Sequence, residues 1–157
     1  MVNVYIQDLA DRLLDLKWKM STAESCTGGL IAAQCTDLAG SSAWFERGFV
    51  TYSNEAKTEL LGVPASLIAQ DGAVSASVAR AMALGACYRS KAQISVAVTG
   101  IAGPAGGSAE KPIGTVWLAW CVGGVVQTEK RMFPCDRAQV RQATTLAALE
   151  GLLKRLP

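Results

Sequence analysis

"STAESCTGGLIAAQ", residues 21–34, sets Glu24, Ser25, Cys26 and Thr27 directly before two glycines and an apolar run. The preceding segment "KWKMSTAES" reads as a short strand, and Leu30 to Leu38, rich in Ala and Leu, reads as a helix that Ala39-Gly40 stops. The unit is therefore strand, tight turn, helix. A serine at such a turn stands at a sheet edge, where the N–H groups of the following helix can hold an oxyanion or a phosphate. Hydroxyl residues at this place also cap helices, so from this stretch alone Ser25 or Thr27 is equally readable as a plain cap.

Working outward, Val4, Ile6, Leu9, Leu13, Leu14 and Leu16 recur at helical spacing, which predicts an amphipathic helix over 4–17 lying on the outside of a sheet. "AWFERGFVTYSN" (43–54) mixes aromatic and β-branched residues like a strand, and Asn54 is the expected cap of a helix "EAKTELL" ended by Gly62 and Pro64. "SASVARAMALGACYRS" (75–90) sets Val78, Met82 and Ala86 on one helical face, and "AQISVAVTG" (92–100) alternates Ile94, Val96 and Val98 as a central strand. A loop of glycines and prolines leads to "TVWLAWCV" (115–122), Gly123-Gly124 predicts a hairpin into "VVQTEKRMF", and Asp136 is the expected N-cap of a final helix. Helices interleaved with strands and one hairpin point to an α/β sandwich with a mixed sheet.

The bulk composition narrows the function. A chain of 157 residues fits one domain, 1–157, with a core large enough to need neither disulfide nor metal. A net charge of +2 without a basic patch speaks against nucleic acid as partner. Acidic residues interrupt the apolar N-terminal stretch, so neither a signal peptide nor a membrane anchor is expected. The five cysteines form no CxxC pair and suggest the reducing cytoplasm, with no zinc site. Histidine is absent, which removes the Ser-His-Asp triad and the Cys-His pair together.

A nucleophilic serine then needs another base. With Asn54 as cap, Lys57 sits in the first turn of its helix, where the dipole and burial both disfavour the ammonium and make a general base of it. A solvated surface lysine is the plainer alternative, and Tyr52 is readable as core or as polar participant. Cys26 is the rival nucleophile, its thiolate favoured at a helix N-terminus. "TGIAGPAGG" (99–107) has the composition of a phosphate-binding loop but matches neither GxGxxG nor GxxxxGK[ST]. Arg137 and Arg141, four apart on the last helix, share a face suited to a phosphate or carboxylate, or simply to solvent.

Taken in order, "AESCTGG" (23–29), "GSSAWFERGFVTYSNEAK" (40–57), "GAVS" (72–75), "TGIAGPAGG", "KPIGTVW" (111–117) and "DRAQVR" (136–141) resemble the CinA C-terminal domain family over nearly the whole chain. The resemblance implies a three-layer α/β/α sandwich, a homo-oligomer (dimer or higher) and a stand-alone amidase. The implied reaction converts nicotinamide mononucleotide to nicotinate mononucleotide and ammonia in pyridine-nucleotide recycling, with no metal and no cofactor. Carried onto this chain, it makes Ser25 the nucleophile, Lys57 its base and Tyr52 the group that orients the lysine or relays a proton. Thr27, Gly28 and Gly29 are the expected oxyanion donors. Thr99, Gly100, Gly103 and Arg137 or Arg141 are expected to hold the ribose phosphate, and Ser41 and Ser42 to contact the nicotinamide or support Ser25. Two departures from the family pattern stand out: Pro134-Cys135 stands where the family usually has a glycine just before "DR", and Asp71 where it usually has a histidine before "GAVS". The first leaves room for a paralogue that binds nucleotide without turning it over.

Overall fold

The computed structural model describes residues 2–157. Helix α1 (Val2–Leu16) leads into β1 (Met20–Glu24), α2 (Leu30–Thr36), a 3-10 turn (Ser41–Ala43) and β2 (Phe45–Val50). Then follow α3 (Asn54–Leu61), α4 (Ala65–Asp71), α5 (Ala76–Tyr88), β3 (Ile94–Gly100), β4 (Thr115–Val122), β5 (Val125–Met132) and α6 (Arg137–Arg155).

The sheet runs β2-β1-β3-β4-β5. β1 lies parallel to both β2 and β3, and β4 lies antiparallel to both β3 and β5, so the sheet is mixed and contains the expected hairpin. Both faces are covered. One side buries Leu9 and Leu13 of α1, Ile31 of α2 and Leu149 of α6 against Met20, Val96, Val98 and Leu118. The other packs Val78, Met82 and Ala86 of α5, with Leu61 and Ile68, against Ala23, Ala97 and Ala119. This is the three-layer α/β/α sandwich that the family resemblance implies.

Two serines in the middle of the sheet are satisfied by the helix above them. Ser21 Oγ donates to the Ala86 carbonyl at 3.2 Å and Ser95 Oγ to the Ala83 carbonyl at 2.7 Å, which pins α5 across β1 and β3. Gly85 then lets α3 approach: a Cβ there would run into the carbonyl of Leu61. The position of α3, and with it Lys57, thus depends on one missing side chain.

Several local expectations are corrected. Val4 and Leu14, counted in the apolar stripe of α1, face solvent at 63% and 48% exposure. α2 stops at Thr36, and Gly40 introduces the 3-10 turn instead of capping α2. The cap of α3 is Ser53, whose side chain accepts from the Ala56 N–H, so Asn54 is already helical and Lys57 lies one residue deeper than expected. Helix α4 begins directly after Pro64, where the sequence reading ended the preceding helix and placed nothing. For α6 the Asp136 cap holds, reinforced by Gln139 in a reciprocal capping box.

Candidate active site

The C-terminal ends of parallel strands β1 and β3 open onto the turn that carries Ser25. β1 ends at Glu24, Ser25 N–H donates to the Val98 carbonyl at 3.1 Å, and Gly28 N–H donates to the Ser25 carbonyl at 3.1 Å, closing a tight turn. Gly28 and Gly29 follow at φ +55° and +106°, backbone that favours glycine and swings the chain into α2.

Alternation along β1 turns Glu24 and Ser25 to opposite faces of the sheet. Glu24, 1% exposed, reaches forward to cap α2: its carboxylate accepts from Thr27 Oγ1 at 2.6 Å, Ile31 N–H at 2.9 Å and Ala32 N–H at 3.1 Å. The first-turn donors of α2 are therefore occupied by the protein's own carboxylate and do not serve an external anion, contrary to the sequence reading. Gly28 N–H is likewise spent. The amides of Cys26, Thr27 and Gly29 make no hydrogen bond among the described residues. The Cys26 N–H, directly after Ser25, is a free donor that sequence reasoning passed over.

On the other face Ser25 meets Lys57. Lys57 Nζ donates to Ser25 Oγ at 3.0 Å and to the carbonyls of Thr51 at 2.9 Å, Tyr52 at 3.2 Å and Ser53 at 3.4 Å. The amine is 1% exposed, and no carboxylate forms an ion pair with it among the described residues. Burial pushes its pKa below the ordinary lysine value, with Cys26 and Glu55 pulling weakly the other way. A neutral amine has two protons and one lone pair. Two carbonyls can take the protons, leaving the lone pair for the Ser25 hydroxyl.

Other expected residues divide. Tyr52 contributes its carbonyl, not its phenol, to Lys57; its side chain is 60% exposed and its hydroxyl accepts from Arg137 Nη2 at 3.2 Å. Arg137 also donates to the Gly103 carbonyl at 2.8 Å, joining the glycine loop to the start of α6. Asp136 still caps the helix directly after Pro134-Cys135. Arg141 donates to the Cys26 carbonyl at 3.1 Å and the Thr27 carbonyl at 3.2 Å. Thr99 is buried at the end of β3 with its hydroxyl donating to the Ala73 carbonyl at 2.9 Å, and Gly100 lies against Val116.

Ser41 and Ser42 are not brought to Ser25. They precede the start of β2, which pairs with the start of β1, whereas Ser25 follows its end. The strand between spans roughly 17 Å at about 3.3 Å per residue. Cys26 is also corrected as a rival: it is 6% exposed, and burial raises its thiol to about 11, the opposite of thiolate activation. Among the described residues no group of three His, Cys, Asp or Glu side chains is arranged to hold a metal, and no helix is long and apolar enough to cross a membrane.

Known proteins resemble this chain in sequence and in fold. The model of the CinA C-terminal domain matches residues 3–156. The nicotinamide-nucleotide amidohydrolase PncC of Pseudomonas putida is 55% identical over 146 residues, covering 93% of this chain and 91% of that protein. A CinA-like protein of Geotalea daltonii is 58% identical over 139 residues, 87% of this chain but only 33% of that longer protein. The crystal structure of a CinA superfamily protein from Klebsiella pneumoniae superposes with a TM-score of 0.95 at 35% identity, covering 99% and 98% of the two chains.

Proposed function

The chain belongs to the CinA C-terminal domain family, and from that premise we propose that it is a nicotinamide-nucleotide amidohydrolase, one amidase domain over 1–157 using Ser25 as nucleophile and Lys57 as base. The substrate class rests on the P. putida relative's name and 55% identity. The mechanism rests on one observation, the 3.0 Å contact between a buried, unpaired lysine and Ser25 Oγ.

In this reading neutral Lys57 takes the Ser25 proton as Oγ attacks the carboxamide carbon of nicotinamide mononucleotide. The oxyanion settles against free amides of the Cys26–Gly29 turn. Lys57 returns its proton to the departing nitrogen, ammonia leaves, and an acyl ester remains on Ser25. Water then attacks that ester, Lys57 accepts the water's proton and hands it to Ser25 Oγ, and nicotinate mononucleotide departs. The carbonyls of Thr51 and Tyr52 hold the amine in place throughout. Arg137, beside Tyr52 and Gly103, is the group for the substrate phosphate. The enzyme works in the cytoplasm as a homo-oligomer.

The test is ammonia release from nicotinamide mononucleotide by wild type, Ser25→Ala and Lys57→Ala. Activity in the wild type and its loss in both variants supports the reading. An active Lys57→Ala enzyme overturns the lysine's role, and a wild type that binds the nucleotide without releasing ammonia overturns the activity.

A further inference from the structure

Arg141 shares a helix face with Arg137, yet its contacts are of another kind. Nε and Nη2 form a fork on two successive backbone carbonyls, Cys26 and Thr27, in the turn that follows Ser25. A fork of this sort fixes the planes of two peptide units at once.

The consequence follows from peptide geometry. Gly103-Pro104 is the one cis bond among the described residues, so the Cys26-Thr27 and Thr27-Gly28 peptides are trans. In a trans peptide the carbonyl and the next N–H point to opposite sides. With both carbonyls turned to Arg141, the N–H groups of Thr27 and Gly28 are turned away from it. The Gly28 amide shows where that side lies, because it ends on the Ser25 carbonyl.

Thr27 is held from a second direction as well. Its hydroxyl donates to Glu24 and its carbonyl accepts from Arg141, so every hydrogen-bonding atom of this fully buried residue is engaged except its N–H. Thr27 is thus the fixed centre of the turn, and the donors a substrate oxygen can reach are the unengaged amides beside it, those of Cys26 and Gly29.

We propose that Arg141 is a positioning residue for the hydrolysis, fixing the turn after Ser25 so that Ser25 and the unengaged amides flanking Thr27, those of Cys26 and Gly29, are held in place for the reacting carboxamide. This rests on the amidohydrolase reading above. It assigns Arg141 a role distinct from phosphate binding, which falls to Arg137.

The experiment compares kcat and KM for nicotinamide mononucleotide in wild type, Arg141→Gln and Arg141→Lys, with thermal melts to confirm folding. Arg141→Gln is expected to lower kcat by about 10–100-fold, less than outright loss of an oxyanion donor, with KM within about threefold. Arg141→Lys keeps the charge but not the fork and stays at least about fivefold below wild type in kcat. It also carries the test should Arg141→Gln not fold. A raised KM at unchanged kcat makes Arg141 a substrate ligand and overturns the proposal. Wild-type kcat in Arg141→Lys overturns it too, since charge alone would then suffice.

If the wild type releases no ammonia, the amidohydrolase reading fails by itself, and the rate at which a small fluorophosphonate modifies Ser25 becomes the readout. A rate about tenfold or more slower in Arg141→Gln than in wild type upholds the positioning role. Equal rates, or no modification of the wild type, overturn it.

Discussion

Glu24→Gln is the substitution whose effect the structure specifies most closely. Both Thr27 Oγ1 and Ile31 N–H donate to Oε1 of Glu24, while Ala32 N–H donates to Oε2. The amide can keep its oxygen at the first position and accept two bonds there, now from a neutral acceptor. At the second position an NH2 group faces the Ala32 N–H, donor against donor. Charge-assisted bonds contribute about 1.5–3 kcal/mol against about 0.5–1.5 for neutral ones, so two weakened bonds and one lost bond cost about 3–5 kcal/mol. Relief from burying a carboxylate offsets part of this, and about 2–4 kcal/mol of net destabilisation remains. For a chain of this size that lowers Tm by about 5–15 °C. Calorimetric melts of wild type, Glu24→Gln and Thr27→Val give the measurement. Thr27→Val removes only the hydroxyl bond and falls between the other two. A Glu24→Gln protein melting within about 2 °C of wild type would refute the capping role of the carboxylate.

Other outcomes follow from the same structure. Because Lys57 acts in its neutral form and burial lowers its pKa, kcat/KM should rise with pH and reach a plateau below the ordinary lysine value of 10.5. A flat profile across that range would exclude the lysine as base. The same burial affects stability: the unfolded chain binds the Lys57 proton more tightly than the native one. Stability therefore rises with pH between the lowered native value and 10.5, a gain that urea titrations should find missing in Lys57→Met. Cys26→Ala should retain activity within a few-fold, since its thiol, raised to about 11, remains protonated near neutrality; an inactive variant would restore Cys26 as nucleophile. Gly151→Ala would place a methyl group inside the indole of Trp120, whose N–H donates to the Ala148 carbonyl at 2.9 Å. After a helix-propensity gain of about 1 kcal/mol, overpacking should leave a net loss of about 1–3 kcal/mol, read as a lower Tm.

Features governed by neighbours in the chain were open to reading from the residues alone. The strand-turn-helix around Ser25, the Gly123-Gly124 hairpin and the Asp136 cap each depend on hydrogen bonds or periodicity spanning a few positions. Even there the sequence was ambiguous where two neighbours compete for one task, as Ser53 and Asn54 do for the cap of α3. Recognition of the family blocks added the layer arrangement and the pairing of Ser25 with Lys57, but as resemblance and not as geometry. The rest came from juxtapositions across the fold. Lys57 reaches Ser25 because α5 is bonded to β1 and β3 and Gly85 admits α3 beside it, contacts between residues 12 to 65 positions apart. Arg141 turns to backbone carbonyls 114 and 115 residues away, and Ser41 and Ser42 fall at the far end of the strands. No local pattern encodes which face of α6 meets the Ser25 turn, because that is set by the summed packing of two helical layers on one twisted sheet.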